Sequence, residues 1–238
     1  MWETIKRREF NVQNLPDMIN LYNKDCLEAL KEMKDNQFDL LLTDPPYGMN
    51  FKSNYRKIKH KKISNDNNLN WLKKWIKQID RVVKDDAHLY IFASFHNIDK
   101  FLYEIKKYRK VKNVLIWEKN NTSMGDLFGD YAPKYEMIIF CSNGNKKLNG
   151  NRDSNILKYQ RTNNNFHPTQ KPVKLLRYLI EKSTEENDLI LDTFAGSFSS
   201  GFAAYDSKRK FIGYELDTEY FEAAKKRLKQ HQQQLKMF

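Results

Sequence analysis

Residues 38–47 read Phe38-Asp-Leu-Leu-Leu-Thr-Asp44-Pro-Pro-Tyr47, a buried-strand pattern that runs directly into an unusual turn. Six mainly apolar residues in succession are typical of a strand that is covered on both faces of a parallel sheet. The strand ends at a carboxylate, two prolines and an aromatic ring. In parallel sheets ligands bind beyond the carboxyl ends of the strands, so this turn is the first place to expect chemistry.

Similar apolar runs alternate with segments of helical periodicity along the chain. The predicted strands are residues 19–23, 38–43, 88–93, 114–117, 135–141, 189–192 and 211–215. Helices are predicted between them, at about residues 27–33, 71–82, 97–108, 172–181, 199–205 and 218–232. This alternation predicts an α/β fold with a mostly parallel sheet and helices on both faces. No repeat or break in composition divides the chain, so residues 1–238 are predicted to form a single domain.

The composition excludes several classes of protein. Of the 238 residues, 40% are hydrophobic and 13% aromatic, which is enough for a sizeable core and excludes wholesale disorder. No apolar run approaches the roughly 18 residues of a membrane span, and the start of the chain lacks the apolar region of a secretion signal. We therefore expect a soluble, cytoplasmic protein. Two cysteines and five scattered histidines give neither a disulfide framework nor zinc-ligand spacing, so no metal site is expected.

The positive charge of the chain is concentrated in two segments. The chain carries 42 Lys and Arg residues against 30 Asp and Glu, a net charge of +12. A genomic codon bias toward Lys would spread the excess evenly, so two concentrated segments indicate a polyanionic partner, with nucleic acid the first candidate. Apart from Lys171, the basic residues are Lys52, Arg56, Lys57, Lys59, Lys61 and Lys62 in the first segment, and Lys146, Lys147, Arg152, Lys158 and Arg161 in the second.

The turn from Asp44 to Tyr47 is suited to hold an amine. Prolines lack an N–H and fix φ, so the carbonyl groups around Pro45 and Pro46 have fewer partners within the chain and point outward rigidly. The Asp44 carboxylate and the Pro45 carbonyl offer two acceptors to one amino group, and Tyr47 can stack on a planar heterocycle. An ordinary β-turn is the alternative, since Asp-Pro is a common turn signal, but two prolines and a Tyr at a strand end disfavour it.

Two further polar clusters follow the last two predicted strands. After Asp192, the loop contains Gly196, which permits close approach of a ligand to the backbone, and the next helix offers unpaired N–H groups. Glu215 ends the next strand, 23 residues beyond Asp192, and is suited to accept the hydroxyls of a ribose. A plain strand-to-helix turn and a helix-capping acid are the alternatives for each cluster alone. A β-α-β unit with both features indicates an adenosine-containing cofactor.

Asp44-Pro-Pro-Tyr47 together with Phe194-x-Gly196 resembles the amino-methyltransferases that use S-adenosylmethionine on DNA. The catalytic turn precedes the cofactor loop, as in the β group of adenine-N6 DNA methyltransferases, a circularly permuted form of the family. Supporting motifs are residues 23–28, 115–120, 135–140 and 167–172. The resemblance covers about residues 18–230. It implies a Rossmann-like methyltransferase domain with a seven-stranded sheet in which one strand is antiparallel.

The resemblance also implies a reaction and the residues that carry it. The target adenine is expected to swing out of the DNA and stack on Tyr47, while Asp44 and Pro45 hold its amine for attack on the sulfonium methyl. Pro46 completes the catalytic set. The residues expected to contact the cofactor are Asp25, Cys26, Asp44, Thr169, Lys171, Asp192, Phe194, Gly196, Ser197, Glu215 and Leu216. Lys171 and Thr169 are expected near its methionine end; for Cys26, a small buried core residue is the alternative.

Two loops and two departures from the family sequence carry further expectations. Residues 48–66 are expected to form a basic mobile loop, and residues 143–166 stand where this group carries its target-recognition segment. Both are expected to border the mouth of the pocket and contact phosphates, with a pair of solvated loops as the alternative. The family loop has Pro and Gly where this chain has Thr193 and Phe198. The bulky Phe198 ring is expected to narrow the cofactor pocket or reshape its loop.

The expected activity is adenine-N6 methylation of DNA, in a bacterial or phage-encoded enzyme of the kind found in restriction–modification systems. Cytosine-N4 methylation stays open, although the N4 enzymes usually have Ser where this chain has Asp44. An RNA substrate and a catalytically silent DNA-binding relative are further alternatives, whereas the glycine pattern does not suit a nicotinamide dehydrogenase. Proteins of this group often form dimers, so a homodimer also stays open.

Overall fold

The described part of the chain forms eight strands and six helices, which alternate except where β4, β5 and β6 follow one another. The computed structural model describes residues 18–48, 68–122, 129–162 and 170–235. Its strands are β1 (Ile19–Asn23), β2 (Phe38–Thr43), β3 (Val83–Ala93), β4 (Val111–Glu118), β5 (Tyr135–Cys141), β6 (Ile156–Lys158), β7 (Leu189–Asp192) and β8 (Lys210–Glu215). Its helices are α1 (Cys26–Glu32), α2 (Leu72–Val82), α3 (Ile98–Ile105), α4 (Val173–Ser183), α5 (Ser199–Asp206) and α6 (Thr218–Leu235). None of the helices in these ranges has the length and apolar character that a membrane span requires.

The strands form one sheet in the order β1-β8-β7-β2-β3-β5-β4-β6. All neighbouring pairs are parallel except those of β5, which runs antiparallel to both β3 and β4. The mostly parallel sheet with one reversed strand is therefore confirmed. The sheet has one strand more than the seven expected, because β6 lies within a segment predicted to be loop. Three residues are too few to give a periodic signal, and β6 forms by pairing with Ile116–Glu118 of β4.

Helices cover both faces of the sheet, as predicted, because the strand side chains alternate between two separate apolar cores. On β2, Leu41 belongs to the first core, whereas Leu40 and Leu42 belong to the second. Helices α1, α2 and α3 close the first core, where Trp75 and Phe101 are fully buried. Helices α4, α5 and α6 close the second core.

The winding of the sheet reverses between β7 and β2. The chain passes from β7 to β8 on one side and from β2 to β3 on the other, so the loops after β7 and β2 diverge and leave a crevice between them. Thr43 ends β2 and Asp192 ends β7, and the Thr43 hydroxyl donates a hydrogen bond of 2.8 Å to Asp192 Oδ1. The two predicted polar turns therefore begin side by side. We call this edge of the sheet, at the carboxyl ends of its parallel strands, the catalytic edge.

Strand β3 begins at Val83, directly after α2 and five residues before the predicted start at His88. The intervening residues 84–86 are charged, so no apolar pattern marks them as strand. The guanidinium of Arg109 stabilises this stretch by donating hydrogen bonds of 3.0 Å and 2.8 Å to the carbonyl oxygens of Lys84 and Asp85. A tertiary contact thus extends the strand beyond its local pattern.

Candidate active site

The turn from Asp44 to Tyr47 lies directly beyond β2, and both of its ends are held by side-chain hydrogen bonds. Pro45 and Pro46 are buried, whereas Asp44 and Tyr47 are half-buried. The Tyr47 hydroxyl donates a hydrogen bond of 2.5 Å to Asp44 Oδ1. Asn97, in the turn after β3, donates a bond of 2.8 Å from Nδ2 to the Tyr47 carbonyl. The Asp44 carboxylate is therefore oriented at the mouth of the crevice.

Asp44 is the last member of a row of four alternating charges. Lys171 Nζ lies 2.5 Å from Asp44 Oδ2 and 3.1 Å from Glu136 Oε2. Lys119 Nζ lies 2.8 Å from Glu136 Oε1. Both lysines are buried, with only 5% of Lys171 and 7% of Lys119 exposed, so these groups compensate one another rather than relying on water. We call Lys119, Glu136, Lys171 and Asp44 the charge row.

Burial and pairing act against each other on the charge row. Burial raises the pKa of Asp44, although Lys171 opposes the shift. Burial alone would raise the pKa of Glu136, but Lys171 and Lys119 hold it below its ordinary value. Burial alone would lower the pKa of Lys171, but Asp44 and Glu136 hold it above its ordinary value. Lys171 is therefore a cation at neutral pH, and its charge is the largest effect that favours the ionised form of Asp44, with a smaller contribution from the Tyr47 hydroxyl.

Two members of the charge row are predicted from the sequence and two are not. Asp44 and Lys171 are both expected in the site, and the structure pairs them directly. Lys119 and Glu136 occur within motifs that support the resemblance, but no role is predicted for either. In the antiparallel register of β4 and β5, Glu136 lies opposite Trp117. Lys119 follows two residues after Trp117, so its side chain meets Glu136 diagonally at the catalytic edge. The signal that could have identified them is the position of Lys119 just beyond the end of β4 and of Glu136 near the start of β5.

The second turn is organised around the buried carboxylate of Asp192. Its Oδ1 accepts hydrogen bonds from the Thr43 hydroxyl, at 2.8 Å, and from the Phe194 N–H, at 3.0 Å. Its Oδ2 accepts one of 2.5 Å from the Ser200 hydroxyl. Burial raises the pKa of Asp192 to about 6, against the opposing effect of these donors. Asp192 therefore joins β2, the second turn and the start of α5.

The backbone of the second turn is left-handed at Gly196, with φ 48°, and again at Phe198, with φ 68°. This conformation is strained for Phe and free for Gly, and residue 198 is where the family loop has glycine. The Phe198 ring is nevertheless fully buried in the second core, with its centroid 5.5 Å from Phe202 and 5.4 Å from Phe211. Phe194 packs on the opposite face, in the first core. The expectation that Phe198 narrows the pocket is therefore wrong. Its backbone has the left-handed conformation that glycine favours, and its ring is buried in the second core instead of in the pocket.

Glu215 closes the second turn from the end of β8. Its Oε2 accepts a hydrogen bond of 2.8 Å from the Gly196 N–H, and its Oε1 accepts one of 2.7 Å from the Asp217 N–H. Burial raises the pKa of Glu215. Each carboxylate oxygen has a second lone pair, so the group can still accept the hydroxyls of a ribose. Leu216, the next residue, is 44% exposed beside it.

The other predicted cofactor residues surround this turn. Asp25 accepts a hydrogen bond of 2.7 Å from the Leu27 N–H and thereby caps α1. Cys26 is buried in the first core. Arg227 of α6 donates a hydrogen bond to the Ser197 carbonyl and so supports the turn from behind. Thr169 lies outside the described residues.

Aromatic rings pack beside the second turn on the face of the first core. The centroid of Phe194 lies 5.4 Å from Trp71 and 5.6 Å from Trp75, and Tyr22 stacks on Tyr214 at 5.5 Å. A left-handed glycine turn, a buried carboxylate with spare lone pairs and flanking rings are the features that bind an adenosine group. The residues present therefore fit S-adenosylmethionine. Within the described ranges, no three His, Cys, Asp or Glu side chains converge as a metal site requires.

The predicted basic residues separate into three groups. All six of the first segment, Lys52, Arg56, Lys57, Lys59, Lys61 and Lys62, lie outside the described residues. Lys158 ends β6, which is parallel to β4, so Lys158 and the following Arg161 lie toward the catalytic edge.

The other three, Lys146, Lys147 and Arg152, follow β5, and the structure does not bring them to the mouth of the crevice. Because β5 is reversed, the chain leaves it toward the opposite edge. Asn143 there bonds to Asp85 Oδ1 at 3.0 Å, near the start of β3.

Comparisons with known proteins agree with this geometry. The family model of N6/N4 methyltransferases, described as DNA methylase, matches residues 38–226. The chain is 30% identical over 237 residues to the Type II methyltransferase M2.MboI of Moraxella bovis, which covers 87% of this chain and 86% of that protein. It is 28% identical over 242 residues to the DNA adenine methyltransferase YhdJ of Escherichia coli K12, which covers 86% of this chain and 80% of that protein.

Solved structures share the fold. The complex of M1.HpyAVI with SAM superposes with a TM-score of 0.67 at 27% identity, covering 88% of this chain and 99% of that chain. The PvuII DNA methyltransferase, described as cytosine-N4-specific, gives a TM-score of 0.71 at 20% identity, covering 86% of this chain and 84% of that chain. The second likeness is one of fold alone.

Proposed function

The chain belongs to the N6/N4 DNA methylase family, and from that premise we propose that it transfers the methyl group of S-adenosylmethionine to the N6 amine of adenine in DNA. The observation that carries the proposal is the Asp44 carboxylate at the catalytic edge, oriented by Tyr47 and favoured as an anion by Lys171. The buried position of Phe198 removes the one feature that favours a catalytically silent relative.

The residues of the first turn act on the amine. The Asp44 carboxylate accepts one of its hydrogens and the Pro45 carbonyl accepts the other, which draws the nitrogen lone pair out of conjugation with the purine ring. S-adenosylmethionine supplies an electrophilic methyl carbon on its sulfonium sulfur. The lone pair forms the new N–C bond as the C–S bond breaks, the electron pair of that bond stays on sulfur as a thioether, and the surplus proton of the nitrogen passes to solvent. Positioning and electrostatics carry the step, and an ionised carboxylate is the stronger acceptor.

The target base has to leave the duplex to reach Asp44, because the carboxylate lies half-buried inside the crevice. Tyr47 supports this step, since its hydroxyl bond to Asp44 holds the ring beside the acceptors, where a flipped adenine can stack on it. The second turn holds the cofactor next to this position. Gly196 gives close backbone approach and Glu215 accepts the ribose hydroxyls.

Contacts to DNA extend along the catalytic edge from Lys158 and Arg161. Residues 149–153 of the segment expected to read the sequence are tied to α4, where Lys182 Nζ lies 2.6 Å from Asp153 Oδ2. These residues are therefore held away from the mouth of the crevice. A homodimer, in which a second copy supplies further contacts, is the arrangement we propose, and light scattering with and without DNA tests it.

Nucleoside mass spectrometry of mixed-sequence DNA, incubated with the protein and S-adenosylmethionine, tests the reaction. We expect N6-methyladenine from the wild type and none from Asp44→Asn, which keeps the shape of the side chain but loses its charge. Asp35→Asn, at an exposed acid paired with Arg81, is the matched control and should retain activity. If N4-methylcytosine forms instead, the proposed mechanism stands but the target base is cytosine, which presents the same kind of amine. Absence of both products would contradict the proposal.

A further inference from the structure

The turn between β3 and α3 exposes a large apolar ring beside the catalytic turn. Phe95 is 47% exposed and belongs to neither core. Its ring packs against that of His96, with 3.8 Å between centroids and 34° between planes. An aromatic pair of this kind, covered on one side by a partner ring and open on the other, has the shape of a stacking surface rather than of a core contact.

This aromatic pair is attached to the catalytic turn. Strands β2 and β3 are parallel neighbours with Thr43 opposite Ile91, so the turns that follow them leave the sheet side by side at the catalytic edge. Asn97, next to His96, donates the 2.8 Å hydrogen bond to the Tyr47 carbonyl. Lys100 fixes Asn97 in turn, because its Nζ donates a bond of 2.8 Å to Asn97 Oδ1. The turn that carries the rings is thereby tied to the catalytic turn.

Two residues of opposite charge follow the rings in the described part of the chain. Asp99 and Lys100, in the first turn of α3, carry opposite charges. Phe95 itself carries no charge, so a contact that its ring makes depends on stacking and not on attraction of phosphates.

We propose that Phe95 and His96 form a stacking platform for an unpaired base of the strand that carries the target adenine. This inference rests on the proposed function and adds to it a second base-binding position, outside the one that Asp44 and Tyr47 form. Aromatic rings hold bases of any sequence, since every base has a π face. The platform would hold the strand open beside the flipped adenine without reading its sequence.

Binding to two fluorescein-labelled single strands tests the platform. One strand has mixed sequence, and the other has the same length but consists of abasic sites. We expect Phe95→Ala to weaken binding of the base-bearing strand between about 5-fold and about 100-fold, and to leave the abasic strand unchanged. The slope of affinity against salt should not change, because the variant keeps every cation that pairs with a phosphate. Phe95→Trp should retain binding, and Phe95→Leu, which keeps an apolar side chain without a ring, should not.

Tyr103→Ala is the matched control. Tyr103 is a more exposed ring, at 67%, on α3, and it is covered by Lys107, whose Nζ lies 4.1 Å from its centroid. We expect binding of both strands by this variant to equal that of the wild type. The platform is overturned if Phe95→Ala weakens binding of both strands equally or of neither strand. It is also overturned if the wild type binds neither strand. Methylation measured on the same wild-type protein decides the proposed function separately.

Discussion

The ring of Phe198 fills the space that a side chain on Gly201 would need. A Cβ at residue 201 would lie 2.2 Å from Phe198 Cζ and 2.4 Å from its Cε1, distances that no folded protein tolerates. Phe198 lies in the second core just before α5, and Gly201 is buried within α5. The missing side chain at 201 therefore compensates for the ring at 198.

We expect the two residues to be energetically coupled. Gly201→Ala should destabilise the fold by about 1–3 kcal/mol through overpacking, and Phe198→Ala by about 3–5 kcal/mol through the cavity it leaves. In the double variant the new methyl enters that cavity, so the loss should be at least about 1 kcal/mol smaller than the sum. Urea unfolding of the four proteins measures this. As a control, the losses in the free energy of unfolding caused by Ile105→Ala, in the first core, and by Gly201→Ala should simply add. The prediction is contradicted if the losses from Phe198→Ala and Gly201→Ala add in the same way.

Removal of Lys171 should change the pH dependence of methylation. Asp44 has to be ionised to accept the amine, burial raises its pKa, and Lys171 opposes that shift. In Lys171→Met the pKa of Asp44 should rise further. The acid limb of kcat/KM, where activity is lost as pH falls, should therefore move to higher pH.

Two further variants separate charge from shape in this experiment. Lys171→Arg keeps the cation and should restore much of the original pH profile. Lys134→Met removes an exposed ion pair with Glu118, whose atoms lie 3.0 Å apart, and should leave the profile in place. An unshifted acid limb in a folded Lys171→Met protein would show that Lys171 does not control Asp44.

Asp192 should make the protein less stable as pH rises from 4 to 7. Its pKa is about 6 in the folded chain and about 3.9 in an unfolded one, so the folded state binds the proton more tightly. The contribution of this group is fully present below the unfolded pKa and is lost as pH rises through the folded pKa.

Comparison of the wild type with Asp192→Asn isolates this group, because the other titrating groups are common to both proteins. The stability of the wild type relative to the variant should fall by about 2–3 kcal/mol between pH 4 and pH 7. Urea unfolding across that range measures the difference. A constant difference would mean that Asp192 has an ordinary pKa in the folded protein.

The reversed strand β5 predicts an unequal effect of the basic residues on DNA binding. Lys158→Ala with Arg161→Ala should lower the salt dependence of the affinity by about 0.9 for each phosphate that is no longer neutralised. Lys146→Ala with Lys147→Ala removes the same charge at the opposite edge and should leave the slope unchanged. Titrations of labelled DNA at several salt concentrations measure both slopes. Equal slopes in the two double variants would indicate that DNA wraps around the far edge as well.

Much of the architecture follows from local patterns in the sequence. All seven predicted strands and all six predicted helices occur, because long apolar runs and helical periodicities report burial directly. The early start of β3 does not follow from them, since residues 84–86 are charged, and Lys84 and Asp85 are held by Arg109 from the segment between α3 and β4. The three residues of β6 are missed for a similar reason, because their pairing with β4 is a tertiary event.

The candidate site is predictable where chemistry lies in a short motif. Asp44 and Glu215 are found in this way, because each follows an apolar strand. Lys119 and Glu136 are not, because their partners come from distant parts of the sequence. Phe198 looks obstructive in a linear sequence, and only the left-handed turn and the empty space at Gly201 show where its ring goes.

The charge row has a consequence for how the chain folds. Its members lie beyond β2, beyond β4, at the start of β5 and before α4, and Lys171 and Asp44 are separated by 127 positions. A chain in which one of these segments has not docked leaves a charge buried without its partner, which is strongly unfavourable. We therefore expect methylation only from a chain whose sheet is complete. In a protein whose segments are incorrectly docked, methylation activity should be lost before helix content falls.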